Sequence, residues 1–556
     1  MNAAPAYSRG AVALLLALLA LAWFSTLDYR KLIKPDEGRY AEIAREMALS
    51  GDWVTPRLNG IKYFEKPPLQ YWATAASFRL FGPDEWTARL WSALTGFAGV
   101  LLAWYAGKRL WGPTAGVLSA MVLGTSLWYL VIGHLNTLDM GVTFFLEAAM
   151  CAFVFAQRSA HRSTGERRWM LAAWAAMALA VLSKGLAGLV LPAATLIAYC
   201  TLQRTLAPFG RMHFGKGLLV FLALAAPWFI AVSKANPEFA HFFFVHEHFE
   251  RYLTREHGRY EPFWYFVPVL LLGLLPWTTM ALQAGAAGWR SGASSGFNER
   301  RFLVLWAAVI FLFFSASGSK LPSYILPVFP AIALLAGDWL ASSERASLRW
   351  HLAFVGIVSI IAFVVLQRMT TNSNADPMTL RYAQWLMGAF VLLGAGTLGA
   401  LWLRHRGRTL TAIATLATSA LIAGQVALLG HEALGRSFSA HYIAGQIRPL
   451  LTTGVPFYSV GMYEQTLPFY IERTVTLVEY GDEFTFGQQQ EPQLALPTMA
   501  AFRQRWLEDD DAFAMFSQDG WKLMQRDPLP MEIVAEDERR IVVRKPQGKL
   551  APRAPS

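Results

Sequence analysis

Charged side chains that could take part in catalysis concentrate in the connections between long apolar segments. Asp36 and Glu37 follow the first apolar segment closely, and Glu65 and Lys66 come later in the same connection, just before two prolines. The prolines keep that part of the backbone extended, so both charges project from a stiff segment. Carboxylates suit an electrophilic sugar centre or a metal ion, and lysine suits a phosphate group. If the substrate is a sugar joined to a phosphate, the phosphate is the departing group, and clustered basic residues would stabilise its charge as it develops.

Further polar residues occur in later connections. His246 and Arg251 belong to a polar stretch that contains no zinc motif of the HExxH kind. Asp139 stands at the start of another apolar segment, and Lys184 is the only basic residue in a short turn. Ionisable groups at or inside a membrane span usually face a cavity or a partner, so these residues are also candidates for a site.

Each of these residues also has a purely structural interpretation. Asp36 could only cap the N-terminus of a helix, with Glu37 compensating the helix dipole. Glu65 and Lys66 could form a surface turn between aromatic residues at the membrane boundary, and Lys184 could extend its ammonium group toward the lipid headgroups. The residues alone leave both interpretations open.

The segments that position these groups predict a polytopic, all-α membrane protein. Apolar residues make up 54% of the 556 residues and charged residues only 16%, which is atypical of a soluble protein. Segments such as 11–27 carry no charge and can cross the hydrocarbon layer, where a helix satisfies its own backbone groups. Apolar windows predict about thirteen transmembrane helices.

The distribution of basic residues predicts the orientation in the membrane. Among the short connections between spans, those on one side hold about seventeen Lys and Arg residues, and those on the other side hold only Lys184, Lys320, Arg368 and Arg381. Because basic connections stay in the cytoplasm, we expect the N-terminus there, and an odd number of spans puts the C-terminus outside. The same distribution explains the net charge of +11 without nucleic-acid binding.

Three segments are too polar for the bilayer, and the predicted topology puts all three outside. They are 28–85, 234–262 and a tail that starts at about residue 435. We therefore predict a membrane domain over 1–434 and a separate domain over 435–556. In the tail, predicted helices at 440–451 and 498–507 alternate with predicted strands at 455–460, 474–478, 531–535 and 540–544. This alternation is typical of a small α/β domain.

The first outer segment contains a predicted helix over 37–49. Pro35 stops the preceding segment, Asp36 is expected as the N-cap, and Gly51 is expected to end the helix. Arg39, Ile43 and Met47 lie near one face, so we expect this helix to lie along the membrane boundary.

Sequence motifs in the same segment carry a family resemblance. They are DEGRYAEI at 36–43, SGDWVTPRLNG at 50–60 and YFEKPPL at 63–69, with FWYF at 263–266 and SKLPSY at 319–324 further along. The combination closely resembles the aminoarabinosyl (4-amino-4-deoxy-L-arabinose) lipid A transferases. These belong to the superfamily of polyprenyl-phosphate-dependent glycosyltransferases, which includes the protein O-mannosyltransferases. The resemblance is weakest in the tail.

The resemblance implies a fold, a location and a reaction. The fold would be the C-type glycosyltransferase fold, with interfacial helices in 28–85, an outer loop at 234–262 and a C-terminal periplasmic α/β domain. The chain would lie in the bacterial inner membrane and transfer 4-amino-4-deoxy-L-arabinose from undecaprenyl phosphate to a phosphate of lipid A. Such a modification would lower the negative charge of the outer surface and weaken binding of cationic peptides, which is the basis of polymyxin resistance.

The resemblance also assigns roles to residues, with Asp36 expected to be essential. The candidate catalytic carboxylates are Asp36, Asp139 and Glu37. The candidate ligands of the donor phosphate are Lys66, Arg251, Arg39, Lys184, Tyr63 and Tyr324. The predicted ligands of a divalent metal, zinc or magnesium, are Glu65 and His246.

Alternatives stay open at this level. A related glycosyltransferase could use a different sugar, or a protein or polysaccharide acceptor, and a lipid or sugar flippase would perform no chemistry. The role of Asp36 is open too. A phosphate acceptor is already anionic, so Asp36 could orient it or stabilise positive charge on the sugar, whereas a hydroxyl acceptor would need a base.

Overall fold

A computed structural model of the chain describes residues 9–245, 261–292, 296–342, 348–371 and 376–546. The helices as far as residue 245 are α1 (Arg9–Phe24), α2 (Asp36–Ser50), α3 (Leu69–Phe81), α4 (Glu85–Trp111), α5 (Pro113–Thr125), α6 (Leu127–Gly133), α7 (Leu138–Arg158), α8 (Thr164–Lys184), α9 (Ala187–Gln203), α10 (Phe214–Ala235) and α11 (Phe239–His241). The next helices are α12 (Phe266–Gly273), α13 (Thr278–Arg290), α14 (Glu299–Ala316), α15 (Phe329–Ser342), α16 (Leu348–Thr370), α17 (Pro377–His405) and α18 (Thr409–Gly430).

Shorter helices and all strands of the larger sheet follow in the tail. The helices are α19 (Gly435–Phe438), α20 (His441–Ile447), α21 (Leu467–Ile471), α22 (Thr485–Gln490), α23 (Met499–Glu508) and α24 (Gln518–Met524). Two short strands precede α3: β1 (Arg57–Leu58) and β2 (Ile61–Lys62). The strands of the tail are β3 (Phe457–Val460), β4 (Thr476–Val478), β5 (Ala495–Leu496), β6 (Phe513–Ser517), β7 (Glu532–Glu536) and β8 (Arg540–Arg544). Turns of 3₁₀ helix occur at Phe209–Arg211, Pro322–Val328, His431–Leu434, Arg448–Leu450, Asp482–Phe484 and Pro492–Leu494.

Many helices are long and apolar enough to cross a membrane. In the described ranges seven meet this condition: Glu85–Trp111, Leu138–Arg158, Phe214–Ala235, Pro322–Ser342, Leu348–Thr370, Pro377–His405 and Thr409–Phe438. Two pairs, α5 with α6 and α12 with α13, are long enough only together and bend by 67° and 107° at their breaks. If each pair counts as one span, the described part of the chain has nine. The predicted polytopic helical class is confirmed, whereas the number thirteen stays a prediction.

The chain divides into two compact units. The first unit comprises the residues up to Arg30, then Glu65–Ala73 and Arg89–Ala433. The second comprises Lys31–Phe64, Thr74–Ala88 and the chain from Leu434 onward. The sequence-based division at 434/435 differs from this one, because parts of the first outer segment group with the tail. Residues distant in sequence therefore build the second unit.

The tail forms the predicted α/β structure. Its six strands lie in the order β5-β4-β3-β6-β8-β7, with parallel pairs from β5 to β6 and antiparallel pairs from β6 to β7. The core on this sheet includes Tyr458, Phe502, Trp506 and Val543, which are buried. The predicted strand at 540–544 matches β8. Strand β6 was not predicted, because its phenylalanines and Met515 follow an acidic run without a turn motif.

Helix α2 differs from the prediction at its N-terminus. It begins at Asp36, and Pro35 occupies the N-cap position without a side-chain cap, so the expectation that Asp36 is the N-cap was wrong. Asp36 instead lies in the first turn, where a carboxylate interacts favourably with the helix dipole. Gly51 ends the helix as predicted, with a left-handed φ of 74° and a hydrogen bond from its N–H to the carbonyl of Met47.

The apolar face of α2 is covered by protein. Ile43 and Met47 are buried, so they do not present an apolar surface to lipid as the pattern had suggested. The location of α2 along the membrane boundary stays a prediction.

Candidate active site

The first turn of α2 contains three predicted site residues, all in the second unit. The Oδ1 atom of Asp36 lies 3.6 Å from Nη1 of Arg39, one turn later on the helix. The Asp36 side chain is 33% exposed and therefore only partly covered by protein. Glu37 is buried instead, and its Oε2 accepts a hydrogen bond of 3.1 Å from the N–H of Ile33. Glu37 thus stabilises the chain that leads into the helix.

A glycine allows this turn to pack against the tail. A Cβ atom on Gly38 would lie 2.6 Å from the carbonyl oxygen of Gln465 and 2.6 Å from Cγ2 of Thr466. Both separations are shorter than ordinary van der Waals contact, so a side chain at this position would push the two segments apart. The glycine of the DEGRY motif therefore has a packing role beside Asp36 and Arg39.

Arg39 also contacts a carboxylate from the tail. Its Nη2 lies 3.4 Å from Oε1 of Glu483, and the Nε2 of Gln465 donates a hydrogen bond to the same oxygen. Arg39 is buried, and its guanidinium engages Asp36 on one side and Glu483 on the other. Its predicted role as a ligand of the donor phosphate stays a prediction.

Beyond Arg39, α2 carries a group of charged residues, of which Glu42 and Arg45 are buried. Arg45 binds Glu42 through two hydrogen bonds of 2.7 and 2.6 Å, and the Oε2 of Glu46 accepts a hydrogen bond of 2.8 Å from the N–H of Gly60. Burial, together with the charge of Glu42, raises the pKa of Glu46 well above its usual value, although the Gly60 hydrogen bond opposes this shift. Burial likewise raises the pKa of Glu483, and the charge of Arg39 opposes it.

Tyr63 belongs to the same unit and follows the β1–β2 hairpin. The hairpin turns through Asn59 and Gly60, both with positive φ, and joins two short antiparallel strands. The Tyr63 side chain is buried, and its backbone N–H donates a hydrogen bond of 3.0 Å to the carbonyl of Pro56. Its assignment to the donor phosphate stays a prediction.

The first unit brings three predicted residues together. Lys184, the last residue of α8, donates from Nζ to Oδ1 of Asp139 in the first turn of α7. The same Nζ lies 4.5 Å from the centre of the Tyr324 ring, which is within the range of a cation–π interaction. Asp139 is buried and the Lys184 side chain is 17% exposed, so the ion pair is largely shielded from water. The structure thus forms a cluster of a carboxylate, an ammonium group and an aromatic ring.

Glu65 and Lys66 form a second polar group in the first unit. The Nζ of Lys66 donates a hydrogen bond of 2.8 Å to the carbonyl of Glu65 and lies 3.8 Å from its carboxylate. Four residues later, the Nε2 of Gln70 donates a hydrogen bond of 2.8 Å to Oδ1 of Asn136. Because Asn136 precedes Asp139 by three residues, this bond fixes the first turn of α3 near the start of α7. Gln70 and Asn136 are both buried, and the sequence analysis did not identify either of them as a site residue.

The predicted metal site is described only in part. His246 and Arg251 lie outside the described residues, so of the predicted metal pair the structure describes Glu65 alone. Its carboxylate lies 3.8 Å from the Lys66 ammonium group. A divalent metal site needs several protein ligands, and Glu65 is the one predicted ligand among the described residues. No catalytic step is therefore assigned to a metal.

Three polar groups, each considered by itself, have chemistry that suits group transfer: Asp36 with Arg39, Lys184 with Asp139 and Tyr324, and Glu65 with Lys66. A carboxylate next to a guanidinium, on a side chain that is one-third exposed, can orient an acceptor. Ammonium groups in partly buried surroundings can stabilise a phosphate leaving group. The sequence analysis did not identify Glu483 and Gln465 as partners of the group formed by Asp36 and Arg39. Both lie more than four hundred residues from Arg39, and no local motif marks them.

Family models match both parts of the chain. Residues 10–243 match the model described as dolichyl-phosphate-mannose-protein mannosyltransferase. Residues 443–545 match the model described as aminoarabinose transferase C-terminal domain. The second match includes the tail, in which the motif resemblance was weakest.

Curated relatives and a solved structure are similar over most of the chain. An undecaprenyl phosphate-alpha-4-amino-4-deoxy-L-arabinose arabinosyl transferase of Aeromonas salmonicida is 34% identical, over 67% of this chain and 70% of its own length. A transferase of the same name, numbered 1, from Pseudomonas fluorescens is 30% identical, over 80% of both chains. The crystal structure of ArnT from Cupriavidus metallidurans bound to undecaprenyl phosphate matches with a TM-score of 0.91 and 38% identity, over 97% of this chain and 98% of that one.

These similarities confirm the family that the motifs predicted, and with it the fold class. They agree with the helical membrane unit and the α/β tail. Together with the apolar helices, they show that the chain is a multi-pass protein of the inner membrane. The chain belongs to the family of undecaprenyl phosphate-alpha-4-amino-4-deoxy-L-arabinose arabinosyl transferases, and it is a glycosyltransferase.

Proposed function

We propose that this chain transfers 4-amino-4-deoxy-L-arabinose from undecaprenyl phosphate to a phosphate of lipid A at the periplasmic face of the inner membrane. The observation that carries the proposal is the similarity, at 38% identity over 97% of the chain, to an ArnT whose crystal structure holds undecaprenyl phosphate. The motifs around Asp36 and Lys66 add support, because they supply a carboxylate and a cation of the kind this reaction needs.

In this reaction the bond between the anomeric carbon and the oxygen of the carrier phosphate breaks. An oxygen of the lipid A phosphate forms the new bond to that carbon, and undecaprenyl phosphate leaves with the bonding electrons. We propose that Lys66, Lys184 and Arg251 stabilise the charge of the departing phosphate. Tyr324 supports this role by holding the Lys184 ammonium group at 4.5 Å from its ring.

We assign to Asp36 the role of orienting the acceptor and stabilising positive charge on the sugar. Its carboxylate is one-third exposed and already lies 3.6 Å from Arg39, an arrangement that suits electrostatic orientation. The lipid A phosphate is anionic at neutral pH and therefore needs no general base. A hydroxyl acceptor would require Asp36 to accept a proton, so the acceptor determines the role.

Transfer can be tested in cells and with purified components. Cells that lack their own transferase and express this chain should yield lipid A heavier by one aminopentose residue, and cells expressing the Asp36→Asn variant should not. The purified chain in detergent should form the same product from the donor and lipid A. Product formation without a closed vesicle excludes a flippase, and a glycosylated protein or polysaccharide in place of lipid A would refute the acceptor.

We further propose that the N-terminus lies in the cytoplasm and the C-terminus in the periplasm. The concentration of Lys and Arg in alternate connections supports this orientation. An alkaline phosphatase fusion after residue 546 should be active, and the same enzyme fused within the connection that contains Arg162 should be inactive. The opposite pattern would reverse the orientation.

A divalent metal, zinc or magnesium, is a separate proposal that rests on Glu65 and His246. A metal bound there would polarise a phosphate oxygen. Exhaustive chelation should lower transfer by the purified chain, and the same treatment of a Glu65→Gln variant should cause no further loss. Full activity after chelation would refute a metal requirement.

A further inference from the structure

Arg39 lies between two carboxylates that differ in their surroundings. Its Nη1 is 3.6 Å from Oδ1 of Asp36, and its Nη2 is 3.4 Å from Oε1 of Glu483. The Asp36 side chain is 33% exposed and that of Glu483 is 6% exposed. One carboxylate is therefore accessible to a substrate, whereas the other is enclosed by protein.

Glu483 is itself held in place by the segment that contacts α2. The Nε2 of Gln465 donates a hydrogen bond to the Oε1 of Glu483 that also faces Arg39. Gln465 is buried, and its carbonyl oxygen is the atom that a Cβ on Gly38 would meet at 2.6 Å. Glu483, held by Gln465, therefore fixes the Arg39 side chain from the tail. The close packing of Gly38 against Gln465 keeps this part of the tail next to the first turn of α2.

We infer that Glu483 is a positioning residue for Asp36 and acts through Arg39. This inference rests on the proposed function, in which Asp36 serves the transfer reaction. Glu483 holds one side of the guanidinium, so the other side meets Asp36 at 3.6 Å, which is longer than a charge-assisted hydrogen bond. The Asp36 side chain stays partly exposed while the guanidinium beside it is held from the tail.

Loss of the Glu483 charge removes one of the attractions that act on the guanidinium. Arg39 can then form a closer, bidentate ion pair with Asp36, which is the geometry that guanidinium and carboxylate groups prefer. Such a pair turns Asp36 away from the substrate without removing any residue that touches it. A displacement of about 1 Å in a reacting group can lower the rate by about a hundredfold, so the chemical step is where the effect should appear.

The test compares Glu483→Gln with Glu479→Gln in the purified full-length chain. Both changes remove one negative charge, the two positions are four residues apart in the chain, and Glu479 is exposed. With the undecaprenyl-phosphate-linked donor and lipid A, Glu483→Gln should lower kcat about tenfold or more and leave each KM within about twofold. Glu479→Gln should match the wild type. Thermal unfolding in detergent reports whether each variant is folded.

A double-variant cycle separates action through Arg39 from a general loss of stability. In an Arg39→Gln background, Glu483→Gln should cause no further fall in kcat, because the side chain through which it acts is gone. Glu483→Asp, which keeps the charge on a shorter side chain, should retain more activity than Glu483→Gln. If Glu483→Gln does not fold, the same cycle with Glu483→Asp decides the question.

The outcomes distinguish this inference from the proposed function. An inactive Asp36→Asn variant together with wild-type kcat in Glu483→Gln would overturn the role of Glu483 and leave the function intact. Independent, multiplying losses in the Arg39→Gln cycle would also overturn it. Full activity of Asp36→Asn would remove Asp36 from the reaction and with it the basis of the inference.

Discussion

Lys184 and Asp139 form an ion pair that joins the end of α8 to the first turn of α7. The Lys184 ammonium group also lies 4.5 Å from the centre of the Tyr324 ring. Both residues were candidates for different roles, a phosphate ligand and a catalytic carboxylate. Their pairing means that a change in one also alters the other. Variants at these positions must therefore be interpreted together.

We expect Asp139→Asn and Lys184→Met to destabilise the protein by about 3 kcal/mol each, because each leaves a mostly buried charge without its counter-ion. The double variant should recover part of that stability but not the transfer activity, since the proposed phosphate ligand is absent. Unfolding midpoints and initial rates in detergent measure both effects. Lys522→Met, in the exposed pair with Asp519, is the control and should change neither. Full transfer by the double variant would exclude both residues from the site.

Asp36→Asn should abolish transfer, because an amide cannot stabilise positive charge on the sugar. The protein should remain folded and inserted, since the side chain is one-third exposed and Asn tolerates the first helical turn. The product is measured by mass spectrometry of lipid A. Asp510→Asn, an exposed position in the tail, serves as the matched control. Normal product in Asp36→Asn would show that the carboxylate is dispensable.

Lys66→Ala should raise the KM for the donor, by about 1.5–3 kcal/mol of binding if its ammonium group binds the charged phosphate. The Arg251→Ala variant should behave similarly. Initial rates at varied donor concentration provide the measurement, and Lys216→Ala, which is exposed near the start of α10, is the control. Unchanged donor dependence in both variants would contradict the phosphate assignment.

Gly38→Ala should destabilise the chain by about 1–3 kcal/mol and lower transfer, because its Cβ would lie 2.6 Å from the Gln465 carbonyl. Gly445→Ala is the control, since its Cβ would meet nothing within 4 Å. Alanine in the middle of α20 should stabilise that helix by about 0.5–1 kcal/mol. Thermal unfolding of both variants provides the comparison. Equal stability of the two variants would show that α2 can shift away from Gln465 without cost.

The raised pKa of Glu46 predicts how stability depends on pH. The unfolded chain releases this proton near the usual value of 4.5, whereas the folded chain keeps it to higher pH. The unfolded state therefore binds fewer protons between the two pKa values, and the free energy of unfolding falls as pH rises through that window.

Glu46→Gln should remove this dependence, because glutamine resembles the protonated acid at every pH. Its stability relative to the wild type should grow as pH rises from 4.5. Unfolding midpoints across the pH range measure the difference, with the exposed Glu479→Gln as the control. A difference that stays constant with pH would contradict the assignment of the shift to Glu46.

Local patterns were sufficient for much of the fold. Long uncharged segments predict helices because a membrane leaves the backbone no other way to satisfy its polar groups. Helix α2 was found from Pro35 and Gly51, which act on the backbone at their own positions. Strand β8 was found from a run of β-branched residues between charges. The DEGRY and YFEKPPL motifs were enough to identify the family.

The sequence by itself determined the membrane class, the helical segments, the α/β tail and the family, because each depends on residues that are close together in the chain. Tertiary structure alone decided which side chains meet. Arg39 and Glu483 are separated by 444 positions, and Gln70 and Asn136 by 66, so no local spacing relates them. It also decided that segments 31–64 and 74–88 group with the tail, since packing surfaces are formed only when distant parts of the chain fold against each other.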